Sequence, residues 1–328
     1  MKRMKVLLIT LALMFAVSSV FAMAAEEAAY PDPERTITIV CPQAAGGGTD
    51  SIFRTLAEEM KKASDGQDFI VTNVTGAGTA TGTNEVLNAA ADGYTLLAGG
   101  THTIAATMQG LTEGYKEMDY VVGLNMDPFI IAVRNDKPWY TFDDLVKAAA
   151  ENPGKISFGN AGMGGATGVA CVGINLALNK TLNVTPFDGG ADLIASVLGG
   201  HCDVGVFSQS EVVANLNSFR PLVILSSSHS VIDELKDVPT LAEAGYPDIH
   251  VPAGSYRSIM VKAGTPADVE QWIADVAEKA FYSDAYQSFM KDNGIIPQFS
   301  KLDGAKADHE EFIKQYEPIL KEAGLYNM

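Results

Sequence analysis

Short runs of β-branched and aromatic residues alternate along this chain with stretches whose apolar residues recur at helical spacing. The clearest example lies near the start. Thr36, Ile37, Thr38, Ile39, Val40 and Cys41 read as a strand, which runs through Pro42, Gln43, Ala44 and Ala45 into three glycines, Gly46, Gly47 and Gly48. Ile52, Phe53, Leu56 and Met60 then fall on one helical face, so the pattern predicts a strand, a glycine turn and an amphipathic helix that Thr49 or Asp50 can cap. Further strands are expected at 69–71, 95–98, 129–133, 156–158, 204–207, 222–225 and 259–261. Helices are expected at 142–151 and 191–198, and at 267–281 after a Thr265 cap with Pro266 at the first helical position. Alternation of this kind predicts an α/β fold. No low-complexity linker divides the chain, as expected when two domains are joined by ordinary strands that cross more than once. The expected crossings lie near Gly123–Pro128 and Val251–Tyr256.

The glycine turn carries the first candidate chemistry. The leading N–H groups of a helix have no internal partner and the helix dipole adds partial positive charge there, so the turn suits a carboxylate or another anion. A nucleotide-binding P-loop would need Lys-Ser/Thr after its glycines, and here Gly48 is followed by Thr49 and Asp50. The dinucleotide fingerprint fails too, because its sixth position is Ser51. A tight turn with no ligand is the other reading. Two more loops, Gly76 to Gly82 and Gly162 to Gly168, share the spacing G-x-G-x-x-x-G, and each precedes a helix-compatible run. Among 31 glycines one such match carries little weight. Two in opposite domains would let a cleft offer donors from both walls.

Composition and charge narrow the setting. Lys2, Arg3 and Lys5 precede an apolar run from Val6 to Val17, and Ala22, Met23 and Ala24 supply small residues for cleavage, so residues 1–24 are expected to be a secretory signal peptide. No cysteine lies near the cleavage point to take a lipid. Loss of three basic and no acidic residues moves the formal charge from -17 to -20, which excludes a nucleic-acid partner. Cys41, Cys171 and Cys202 are an odd number without metal-ligand spacing, so buried free thiols are expected, with a Cys171–Cys202 bridge as the alternative. Neither a metal nor a cofactor is expected, and His201, His229, His250 and His309 do not cluster. A mature chain of about 300 residues suits two domains.

Beyond these readings the chain resembles a known family over essentially its whole mature length. The resemblance rests on Tyr30-Pro31 leading into Ile39 to Asp50, on Asp92 to Leu97, Pro186 to Ala191, Leu198 to Val204, Asp237 to Gly245 and Ala263 to Pro266. In order and spacing these segments resemble the Bug family of periplasmic solute receptors, which serve tripartite tricarboxylate transporters. The resemblance implies a two-domain periplasmic-binding-protein clamshell, each domain a mixed sheet flanked by helices, with residues 25–125 plus 255–328 as domain 1 and 126–254 as domain 2. It also implies a monomer that closes over a small carboxylate and delivers it to membrane transporter subunits. Positions matching the family's binding loops are Ala44, Gly46, Gly47, Thr49 and Asp50, then Gly78 and Thr79, Thr101 and His102, Gly162, Gly164, Gly165 and Thr167, and Asp203.

Departures from the family bear on the ligand. Gly168 stands where a His is frequent, Asp188 stands where Lys or Arg is usual, and the segment usually reading Ser-Trp-Tyr-Gly appears as Ser255-Tyr256-Arg257-Ser258. Arg257, one of six arginines, lies near an expected crossing, where its guanidinium could hold a carboxylate through two parallel bonds; a surface salt bridge is the alternative. Trp272, Tyr282, Tyr286 and Phe289 recur at helical spacing and read as core packing. A secreted hydrolase is disfavoured, because no serine has glycines two residues away on both sides, and H-E-x-x-H and C-x-x-C are absent. A ligand-dependent partner of a membrane sensor would use the same fold.

Overall fold

The residues that alternate or run apolar at strand period pair into ten strands. In the computed structural model, which describes residues 30–328, these are β1 (Ile37–Cys41), β2 (Phe69–Asn73), β3 (Thr95–Gly100), β4 (Met118–Arg134), β5 (Ser157–Asn160), β6 (Asn183–Pro186), β7 (Val204–Ser208), β8 (Phe219–Ile224), β9 (Gly254–Lys262) and β10 (Ile296–Lys301). The helices are α1 (Gly48–Ala63), α2 (Ala80–Asn88), α3 (Thr101–Met108), α4 (Phe142–Glu151), α5 (Ala166–Ala177), α6 (Gly190–Leu198), α7 (Gln209–Ala214), α8 (Ala267–Phe281), α9 (Asp284–Asp292) and α10 (Asp303–Ala323). The expected signal peptide lies outside the described residues. Contacts divide the chain into residues 1–35, of which 30–35 form a bend and a turn, and residues 36–328, one compact unit.

The strand order in the sheet is β2-β1-β3-β9-β4-β7-β5-β6, with β8 and β10 also paired to β4. The β1–β2, β1–β3, β5–β6 and β5–β7 pairs are parallel, and every pair made by β4 or β9 is antiparallel. β4 organises the molecule. Its first part, up to Pro128, pairs β9 and β10, and its second part, from Phe129, pairs β7 and β8. Two sheet regions therefore share one strand, and the change of partners falls at Asp127-Pro128-Phe129. Proline, which has no N–H to donate to a ladder, is tolerated at such a boundary.

Burial follows the sequence pattern. Ile52, Phe53, Leu56 and Met60 of α1 are buried, as their spacing predicts. The second region packs Ile130, Ala132, Leu193, Val197 and Phe207 on one side of its strands and Phe129, Ile131, Val133, Phe158 and Val206 on the other. The helix at 142–151 has the predicted bounds and a capping box in which Thr141 and Asp144 bond each other's backbone. Pro266 occupies the N-cap rather than the first helical position, and the Thr265 hydroxyl donates back to the Lys262 carbonyl instead of capping. Of the aromatics read as core, Tyr286 is buried but Tyr282 is exposed, because it ends α8 at the surface. Among the described residues no helix is long and apolar enough to cross a membrane.

The three cysteines are free and buried. Burial pushes the Cys41 thiol up to about 11 and raises those of Cys171 and Cys202 as well. A thiol that is both inaccessible and protonated does not react. A disulfide-exchange reagent is therefore expected to find no reactive thiol in native protein and three in denaturant; one thiol in denaturant would reveal a Cys171–Cys202 bridge.

Candidate functional site

The turn after β1 folds as the sequence predicts, but its own side chains do not cap the helix. Gly47 is the N-cap of α1, and no side chain of the turn reaches the leading amides. Asp50, itself buried, turns away from the leading amides: one oxygen accepts from the Gly46 amide at 2.9 Å and from Arg54 at 3.0 Å, the other from Asn73 at 2.8 Å. Burial pushes its carboxyl up, and the Arg54, Gly46 and Asn73 donors outweigh this and hold it below its ordinary value. Asp50 thus braces the turn from behind.

Other helix starts share this bareness. Gly165 before α5 and Gly189 before α6 are N-caps without a side-chain bond, and so is Gly100 before α3. These starts meet at one cavity, lined by Gln43, Gly47, Gly48 and Thr49 from the first turn, His102 from α3, Ala161, Ala166 and Thr167 around the start of α5, and Gly190 of α6. Phe129, Ser208, Glu211, Ser255 and Arg257 complete the wall. The cavity is small, with about 20 Å³ open to a water-sized body, room for about one water molecule.

Arg257 enters this cavity from β9 with 2% of its surface exposed. Its Nε donates to the Thr49 hydroxyl at 3.1 Å, and its terminal nitrogens donate to the Ser208 hydroxyl at 3.3 Å and to Asp127 at 3.2 Å. It is therefore a buried ion pair rather than the surface bridge that the sequence left open. Asp127, fully buried on β4, also accepts from the Ser210 hydroxyl at 2.6 Å and the Ser210 amide at 3.2 Å. Burial raises its carboxyl, against the pull of Arg257 and Ser210. The guanidinium has room because residue 48 is glycine: a Cβ there would stand 3.0 Å from an Arg257 nitrogen and 3.2 Å from the Ser210 hydroxyl.

A second acid, Glu211, reaches the amides that the sequence reading reserved for a ligand. It accepts from the Gly48 amide at 3.3 Å and from the Ser208 amide at 2.9 Å, the latter as part of a capping box with Ser208. Burial raises its carboxyl, the two amides oppose this, and nearby Asp127 adds to the rise. It has room because residue 190, in the same region, is glycine: a Cβ there would lie inside contact distance of the Glu211 carboxylate.

The other two glycine loops meet each other. A Cβ at Gly164 would lie inside contact distance of the Gly78 carbonyl oxygen, and one at Gly78, where φ is +63°, would be 3.0 Å from the Gly164 amide nitrogen. Gln109, just beyond α3, donates to the Met163 carbonyl at 2.8 Å. The Thr167 hydroxyl accepts from the Ala161 amide at 3.0 Å, and the Gly162 amide donates to the Asn160 side chain at 3.0 Å.

Of the positions singled out in the sequence, the structure brings Gly47, Thr49, His102, Thr167 and Arg257 to the cavity wall. Ala44 lies against Gly189, and Gly46 donates to Asp50, so both support the first turn. Gly78, Gly162, Gly164 and Gly165 shape the meeting loops, and Thr79, with its φ at +82°, precedes α2. The Thr101 hydroxyl donates to the Tyr256 carbonyl at 3.4 Å. Asp203, at the foot of β7, pairs with Lys137 at 2.5 Å and accepts from the Ser157 amide and hydroxyl; these outweigh the effect of burial and hold its carboxyl low. Asp188 is exposed. Sequence reasoning missed Asp127, Ser208 and Glu211. The spacing Ser208-x-x-Glu211 was legible as a capping box, whereas nothing local marked Asp127 as a partner for a residue 130 positions away.

Residues 52–325 match the profile of the family described as tripartite tricarboxylate transporter family receptor. Protein BugT of Bordetella pertussis is 28% identical over 309 residues, covering 92% of this chain and 93% of its own. The structure of the periplasmic binding protein BugD superposes with a TM-score of 0.84 at 26% identity, covering 90% of this chain and all of that one. MatC from Rhodopseudomonas palustris with bound malate superposes with a TM-score of 0.79 at 25% identity, covering 88% and 100%.

Proposed function

The chain belongs to the tripartite tricarboxylate transporter receptor family, and from that premise we propose that it binds a small organic carboxylate in the periplasm and delivers it to a tripartite membrane transporter. The observation that carries this reading is the convergence of the uncapped starts of α1, α5 and α6 on one cavity that also holds the Arg257 guanidinium. Each helix start presents partial positive charge, and although Glu211 already takes the Gly48 amide of α1, the cavity gathers anion-favouring groups without solvent-exposed lysines. That suits a chain whose overall charge of -17 repels anions at long range. The malate held by MatC supports the carboxylate class. Thr49 and Thr167 add hydroxyl donors on opposite walls. The role is binding without catalysis, by a monomer.

In this reading the two sheet regions are lobes, residues 25–125 with 255–328 and residues 126–254. They hinge where β4 passes Pro128 and where the chain enters β9 at Gly254. The meeting of Gly78 with Gly164 is then the latch of the closed form. Transport is tested by passing ligand-loaded and ligand-free protein over detergent-solubilised transporter proteins. Retention of the loaded form alone is expected, and failure of both forms to bind would remove the transporter from the account.

A further inference from the structure

Two acceptors in the cavity wall have no use for a ligand made only of carboxylates. Glu211 is nine-tenths buried, and its oxygens receive only backbone amides. Among the described residues no lysine or arginine forms an ion pair with it, because Arg257 is turned to Asp127. His102, also in the cavity wall, is 1% exposed and its Nε2 donates to the Ala98 carbonyl at 3.0 Å. That bond places the ring proton on Nε2 and leaves Nδ1 a bare acceptor, buried and without a partner. Burial, with Arg257 nearby, lowers the ring to about 3, so it stays neutral and Nδ1 cannot become a donor near neutral pH.

Charge balance points the same way. Arg257 is paired with Asp127, and Glu211 adds a second acid to the wall, whose negative charge burial and Asp127 oppose and the Ser208 and Gly48 amides and nearby Arg257 favour. A dicarboxylate would add two more to a buried space holding no second cation. An amino acid adds none in net charge, and its ammonium supplies up to three N–H donors where the wall offers acceptors.

We propose that the ligand is a zwitterionic amino carboxylate, with Glu211 receiving its ammonium group, His102 Nδ1 available to a further N–H, and the carboxylate turned to the helix starts. This rests on the receptor reading above and specifies it. No other side chain lining the cavity is anionic, so Glu211 alone would set the requirement for nitrogen.

The test is calorimetry on refolded, ligand-free protein. It uses the common α-amino acids with β-alanine and 4-aminobutyrate, each beside the carboxylic acid in which hydrogen replaces the amino group. The expected result is at least one pair in which the amino member binds about 30-fold or more tightly. In Glu211→Gln, whose single amide oxygen can keep one of the two bonds from backbone amides, that ratio should fall by about tenfold or more. The ratio is internal to each variant, so a change in overall stability does not mimic it. Tighter binding of the acid lacking nitrogen, or a ratio unchanged in Glu211→Gln, overturns the proposal and leaves the receptor reading standing. No binding by any member of the panel overturns both.

Discussion

Arg257→Ala is expected to lower the unfolding free energy by about 3–5 kcal/mol, the cost of leaving a buried carboxylate without its counter-charge. Asp127 is wholly buried, and its remaining donors are the Ser210 hydroxyl and amide, neither of which carries charge. The substitution also removes the bonds from Arg257 to Thr49 and Ser208, which tie β9 to the start of α1 and the end of β7. Denaturant unfolding of the variant checks this. A loss below about 1 kcal/mol, the scale of an exposed pair, would mean that water reaches Asp127 and that the guanidinium is not part of a closed site. A second variant, Asp127→Asn, separates the two charges. It should restore part of the stability lost in Arg257→Ala when the two are combined, because an amide tolerates burial without a cation better than a carboxylate does.

Gly164→Ala is expected to weaken ligand binding by about 10- to 100-fold, corresponding to roughly 1–3 kcal/mol of overpacking. The added methyl would press on the carbonyl oxygen and Cα of Gly78, which are backbone atoms and cannot rotate away as a side chain would. Gly164 does not have the left-handed backbone that alanine resists, so the effect comes from contact alone. If the two loops meet only when the lobes close, the ligand-free variant keeps its unfolding midpoint while its affinity falls. Unchanged affinity would show that the Gly78–Gly164 contact has no part in binding.

These two sites also show how far the sequence can be read. The strand, turn and helix from Ile37 to Met60 were legible because their information is local: an apolar run, three glycines and a 3.6-residue stripe. The fold and family followed from many such segments in order. The first part of β4 was not legible, since Met118 to Pro128 mixes glycine, asparagine and aspartate into a strand in which Asn125 and Asp127 are fully buried. At the site, Arg257 was picked out by rarity and position. Its partner Asp127, and the placement of Glu211 on the Gly48 amide, depend on pairings 130 and 163 residues apart. Thr49 and Asp50 as caps failed for a related reason: Asn73 and Arg54 draw the buried Asp50 away from the leading amides, and the distant Glu211 takes the Gly48 amide instead.

The most direct test of the central claim is calorimetric titration of refolded, ligand-stripped protein with small carboxylates, amino acids among them, against neutral sugars and alcohols of similar size. The account predicts one site per chain that takes members of the carboxylate-bearing set and no neutral compound, with about 2.7 kcal/mol of added stability at a hundred times the dissociation constant. Equal affinity for neutral compounds, or no heat with any carboxylate, would contradict an anion receptor and leave the converging helix starts as structural turns.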